Sequence, residues 1–220
     1  MSEPLPVSEL TALRALSGTH HQVAKALFTP TPRPIYHLDF VLVAALNRSL
    51  CLLKAFASLI DARNLVAAAP LLRLQIDTCL RLHACTLVAD LDQFAAAILG
   101  GASVRDLRDR SGNKMADRYL LDSLAQHVPG LTEPYEHTNG YVHLSSKHIF
   151  NSLGVPEAAR NFVPGMSDLP LNLKVSDDDH FVTTEAYREF ILYFHRVTSL
   201  LLEMVRNLVP VVNPGKPPGA

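Results

Sequence analysis

The sequence predicts an all-α fold, an up-and-down bundle of four to six helices. Three observations point there. Apolar residues make up 48 % of the chain against 19 % charged, with no tryptophan, so the core is aliphatic. Two long central segments are rich in Leu, Ala and Val on most of their faces, as helices in the middle of a bundle are. The last long segment spaces Phe190, Phe194, Val197, Leu201, Met204 and Leu208 alternately by three and four, the stripe of an amphipathic helix.

In chain order, residues 8–28 read as a first helix with Ser8 as its N-cap, ended where prolines between Thr29 and Pro34 forbid continuation. Residues 36–63 and 65–89 are the two central helices. Residues 92–99 form a short helix stopped by Gly100 and Gly101, and the charged run 104–110 reads as a solvated turn. Residues 114–128 are a helix closed by Pro129 and Gly130, and 131–153 another. Residues 154–182 are too punctuated by Pro, Gly and acids for regular helix, and the last helix runs from Thr183 or Thr184 to about Leu208. The 220 residues suffice for one core, so the chain reads as a single domain: 1–35 a first helix and proline-rich connector, 36–208 the bundle, 209–220 a flexible tail.

A net charge of −1 leaves no global field to gather nucleic acid or anionic membrane, and no extended basic surface is evident. Cys51, Cys79 and Cys85 lie in apolar helical stretches without a CxxC spacing and read as reduced core residues. The first nine residues hold acids and two prolines instead of a basic, then apolar, leader, so a cytoplasmic location is expected. Residues 40–60 are the most membrane-like stretch, but Asn47, Arg48 and Lys54 argue for a bundle helix there.

Chemistry concentrates in YEHTNGYVHLSSKH, residues 135–148. On a helix with His143 at zero, Glu136 falls at about 20°, Asn139 at about −40° and Lys147 at about 40°. One face therefore holds Glu136, Asn139, His143 and Lys147, beside an apolar heptad of Tyr135, Val142 and Ile149. His137 and His148 project elsewhere, so the three histidines do not converge. No HExxH or paired Cys/His spacing is present, and no metal or other cofactor is expected. His143 reads either as a histidine hydrogen-bonded between helices or as an acid/base or anion contact, since imidazole titrates near neutrality.

A second constellation lies in PLLRLQIDTCLRLHAC, residues 70–85. Arg73 and Asp77 project from an apolar face, with Arg81 a turn further on. Buried charge must be paired. These two satisfy each other at i, i+4, or they answer a group across the bundle or a ligand. Together, Arg73, Asp77, Arg81, Glu136, Asn139, His143 and Lys147 form a candidate polar pocket between two helices. A third pair, Arg188 and His195, lies two turns apart in the last helix, about 150° from its core stripe, and is expected to be exposed in a monomer.

The pairing of an LLR-x-x-x-D helix with a later Y-x-x-x-N-x-x-V-H-x-S helix, here Leu71 to Asp77 and Tyr135 to Ser145, resembles a bacterial all-helical family of unknown function. That family is allied to abortive-infection proteins and more loosely to the HEPN superfamily. The resemblance spans about residues 36–205 and implies a HEPN-like bundle, often dimeric, with a role in stress or phage defence. Many HEPN proteins are metal-independent ribonucleases of toxin–antitoxin or phage-defence systems with an R-x4-6-H motif. Arg188 and His195 match its spacing, although Glu189 follows the arginine where a small polar residue is commoner. On that alternative Arg188 holds a scissile RNA phosphate, His195 moves the proton of the attacking 2′-hydroxyl, and two subunits juxtapose their faces. The first expectation is instead a pocket-bearing helical protein, and the other alternative is a dimerising adaptor without chemistry.

Overall fold

The computed structural model describes residues 4–29, 34–143 and 182–212. Among these residues seven α-helices are placed: α1 Val7–Leu27, α2 His37–Asp61, α3 Leu65–Leu87, α4 Leu91–Leu99, α5 Asp117–Ala125, α6 Thr132–Val142 and α7 Thr184–Val212. Among the described residues there is no strand, only an isolated antiparallel bridge between Arg108 and Lys114. The four long helices α1, α2, α3 and α7 pack around one apolar core that includes Leu13, Leu42, Leu72, Ile76 and Leu201, and it is not purely aliphatic as expected, since Phe56, Phe190, Phe194 and Tyr187 are fully buried in it. The chain is an all-α helical bundle.

Local chemistry sets where the helices begin and turn. Pro6, not Ser8, stands before α1, and the Ser8 hydroxyl donates to the neighbouring Glu9 carboxylate. Ser8 is already inside the first turn, where it cannot cap. The Asn64 side chain caps α3 by accepting from the Ala67 amide at 2.9 Å, and Asp90 does the same for Gln93 in α4 at 2.9 Å. Only three residues join α2 to α3. There Arg63 takes a left-handed φ of 54°, and the Asn64 amide reaches back to the Leu59 carbonyl at 2.9 Å. The run 104–110 holds a 3-10 turn over Val104–Asp106.

Polar contacts fix direction. Arg14 pairs with Asp61 and His20 with Ser49, so α1 and α2 are antiparallel. The Thr184 hydroxyl donates to the Pro4 carbonyl, and Arg188 meets Glu9 one turn on, so α7 runs beside α1 in the same sense. A buried chain of hydrogen bonds ties the four long helices in register. His20 Nδ1 donates to the Leu16 carbonyl (2.8 Å), leaving Nε2 to accept from Ser49 (2.9 Å). Gln75 Nε2 then donates to Ser49 (2.6 Å) and to Thr198 (3.0 Å). Gln75 Oε1 accepts no hydrogen bond among the described residues.

Burial depresses the pKa of His20, and also that of His83, which bonds Ser123 at 2.9 Å and has His127 beside it. The unfolded chain therefore takes up more protons than the native one as pH falls below about 6.5. The stability these groups contribute is complete above that value and is lost as pH drops through the lower native values, each histidine giving a slope of up to about 1.4 kcal/mol per pH unit. Urea unfolding between pH 8 and pH 5.5 checks this. A flat profile in that window contradicts it, and His83→Gln is expected to shallow the slope.

Two readings from sequence need correction. Cys79 and Cys85 are buried, with burial raising both thiols, Cys85 to about 12, but Cys51 is exposed. It lies on the side of α2 turned away from the core. One thiol of three is thus expected to react with a thiol reagent in the native protein and three after denaturation, and two native equivalents would contradict this. On α6 the core positions are Pro134 and Thr138, not the heptad through Val142, which is 49 % exposed. Thr138 tolerates burial because its hydroxyl donates to the Pro134 carbonyl in its own helix at 2.8 Å.

By length and composition, α2 is the one described helix able to cross a membrane. Within the bundle its Arg48 donates to the Thr78 hydroxyl of α3 at 3.1 Å.

Candidate functional site

The candidate site is a cleft of about 350 Å³ between α3 and α6, lined by Pro70, Arg73, Leu74 and Asp77 on one wall and Asn139, Val142 and His143 on the other. On α3 the residues recur at spacings of three and four, so one stripe of the helix faces the cleft. On α6 Asn139 lies a turn before the helix end. His143 has extended backbone, φ −118° and ψ 148°, and stands just past the last helical residue. Helix was expected to continue to residue 153, and at His143 it does not.

The arginines are arranged differently from the expected Arg73–Asp77 pair. Asp77 pairs with Arg81 at 2.8 Å, the acid-before-base order that favours an i, i+4 bridge. Arg73 turns across to α6, where Nη2 donates to the Tyr135 hydroxyl at 2.6 Å and the guanidinium stacks over that ring, 3.7 Å from its centroid. Asp117, the first residue of α5, accepts from Arg81 at 2.6 Å and lies 3.8 Å from both Arg73 and Arg105. Its place at a helix N-terminus suits a carboxylate. Three arginines and two aspartates thus form the base on which the cleft rests.

Of the seven expected pocket residues, the structure brings Arg73, Asp77, Asn139 and His143 together on the cleft. Arg81 stands behind it, bridging Asp77 to Asp117. Glu136 is not on the cleft. It faces Arg118 of α5 at 3.3 Å and is exposed, because α5 rather than α3 passes that side of α6. Lys147 and His148 lie outside the described residues. His137 is half-buried against Phe190 and Tyr141.

Sequence reasoning missed two contributors, Asp117 and the Tyr135 hydroxyl. An acid followed by an apolar helical run was the available signal for Asp117. Tyr135 offered none beyond its amphipathic ring.

Arg188 and His195 lie two turns apart on α7 and are both partly buried, not exposed, because α1 lies along that side. The Arg188 guanidinium donates to Glu9 at 2.9 Å and also to Glu185. Arg14 and His20 in α1 have the same R-x4-6-H spacing but do not converge: Arg14 pairs with Asp61 on the surface, while His20 is inside the core. A second cleft of about 370 Å³ between α1 and α2 is lined by Arg14, His21 and Lys54 above Leu50, Leu53 and Ala57. Among the described residues no group of three or more His, Cys, Asp or Glu could hold a metal ion.

The chain matches no family model, no curated protein and no solved structure. The site therefore has to be read from its own chemistry. Arg73 and Asn139 offer donors, Asp77 and the Asn139 carbonyl acceptors, and His143 an imidazole ring at the cleft edge. Pro70, Leu74 and Val142 supply apolar wall.

Proposed function

We propose that this protein binds a small polar molecule in the α3–α6 cleft, with Arg73, Asp77, Asn139 and His143 as its contacts. One observation carries the reading: Arg73 and Asp77 on α3 and Asn139 and His143 at α6, 62 or more positions apart in the sequence, line one cleft. The ion pairs around Arg81 and Asp117 hold α3 against α5 and so keep the wall in place. This arrangement fits a preorganised binding site, in which polar groups fix orientation and apolar walls supply area.

The ribonuclease reading fits less well. Its arginine is engaged by two carboxylates, which a phosphate would have to displace.

The test is an amide NMR titration of the 15N-labelled chain with a small-fragment set. Saturable shifts are expected at Leu74, Asn139 and Val142. Asn139→Ala and His143→Ala, both at exposed positions, are expected to unfold like wild type within about 0.5 kcal/mol while weakening binding about tenfold. Fragments that bind elsewhere, or with unchanged affinity in both variants, would overturn the proposal.

A further inference from the structure

The α3 wall of the cleft carries two opposite charges that do not pair with each other. Arg73 commits Nη2 to Tyr135, and Nε and Nη1 make no hydrogen bond among the described residues. Asp77 commits Oδ1 to Arg81, and Oδ2 accepts none among them. The two residues are one helical turn apart, about 6 Å along the axis. A cationic donor and an anionic acceptor, each with unused hydrogen-bonding capacity, therefore line the same small space, with Asp117 3.8 Å from Arg73.

Such a wall selects against simple ions. An anion drawn to Arg73 meets the Asp77 carboxylate, and a cation drawn to Asp77 meets the guanidinium, so either suffers like-charge repulsion. A molecule carrying both charges a few ångströms apart sets an attraction against each repulsion, those from Arg81 beside Asp77 and Asp117 beside Arg73 included. The facing Asn139 carboxamide, with one acceptor and two donor hydrogens, can serve either end of it. Beside these groups Pro70, Leu74 and Val142 offer apolar surface, and a cleft of about 350 Å³ lies at the small end of ligand pockets, enough for one compact molecule.

We infer that the ligand of this cleft is a small zwitterion with an apolar side chain, the chemistry of a free apolar α-amino acid, its carboxylate on Arg73 and its ammonium on Asp77. The inference rests on the cleft reading proposed above and narrows it to one chemical class.

The experiment titrates the full chain with L-leucine, with 4-methylpentanoate, which lacks the ammonium, with leucinamide, which lacks the carboxylate, and with glycine, which lacks the side chain. It is read by the Leu74, Asn139 and Val142 amide shifts. Leucine is expected to bind, with each of the other three at least about tenfold weaker. Asp77→Asn, which keeps the side-chain shape beside Arg81, is expected to remove most of leucine's advantage over 4-methylpentanoate. Should that variant fail to fold, Leu74→Ala at the exposed rim is expected to reduce leucine's advantage over glycine. If 4-methylpentanoate or leucinamide binds as tightly as leucine, the zwitterion is wrong and the cleft reading stands. The zwitterion is equally wrong if none of the four probes shifts the cleft amides while other fragments do. If no molecule of any class shifts them, both fall.

Discussion

Replacing Phe194 by alanine is expected to cost about 4 kcal/mol of folding stability, the range for truncating a buried phenylalanine. Phe194 is fully buried on α7 and stacks on Phe56 of α2, with ring centroids 4.2 Å apart and planes 26° from parallel. Alanine removes the ring's transfer energy, opens a cavity that four helices cannot all close, and ends a stacked contact worth about 1 kcal/mol. Against a total stability of about 5–15 kcal/mol that is a large share, and the midpoint of thermal unfolding is expected to fall by about 10 °C. Phe194→Leu, which keeps most of the volume, is expected to cost less than half as much. Leu192→Ala, two residues away and half exposed, should stay within about 0.5 kcal/mol of wild type. Urea unfolding of the three variants separates the cases. If Phe194→Ala and Leu192→Ala unfold alike, α7 does not pack against α2 in the register described.

The same helix shows what a sequence makes legible. Burial on α7 follows one stripe over many turns, and five of its six expected core positions are buried, with Met204 half-buried. Periodicity averages over a long helix, so a single error does not move the face. The short helix α6 gives no such average. There the buried face runs through Pro134 and Thr138, whose hydroxyl is satisfied within the helix, and not along the line through Val142.

At the site, helical spacing brought Asn139 and His143 to one face and Arg73 and Asp77 to another, and the structure sets these four on one cleft. The partners of the charges were not legible. Arg73 meets Tyr135 across 62 positions, and Arg81 meets Asp117 across 36. Choosing among several acids for each arginine needs the crossing of α3 with α5 and α6, which no local pattern encodes. The order rule for i, i+4 pairs gives one weak preference, at Asp77. It favours Arg81 over Arg73 as the partner of Asp77, and with that pair made Arg73 reaches across the cleft.

The second large effect is expected at Asp117. Its carboxylate is three-quarters buried, accepts directly from Arg81 and is within 4 Å of two further guanidinium groups, while Arg81 has one nitrogen, Nη1, that is buried without a hydrogen-bond partner among the described residues. Asp117→Ala therefore leaves arginine charge in partial burial with Asp77 as the remaining close counter-charge. Removing one partner of a fully buried pair costs about 3–5 kcal/mol. Residual exposure of these groups lets water offset part of that, so about 2 kcal/mol is expected.

Asp117→Asn keeps an acceptor oxygen for Arg81 and should lose about half as much. Glu136→Ala, which breaks the exposed contact to Arg118, is expected to change nothing measurable. The ranking distinguishes a charge that holds the cleft from charges that only decorate the bundle. Asp117 touches the site through Arg73 and Arg81, so Asp117→Asn should also broaden or shift the Leu74 and Asp77 amide signals while leaving those of α1 in place. Equal losses for Asp117→Ala and Glu136→Ala would mean that the arginine cluster is solvated and does not set the geometry of the cleft.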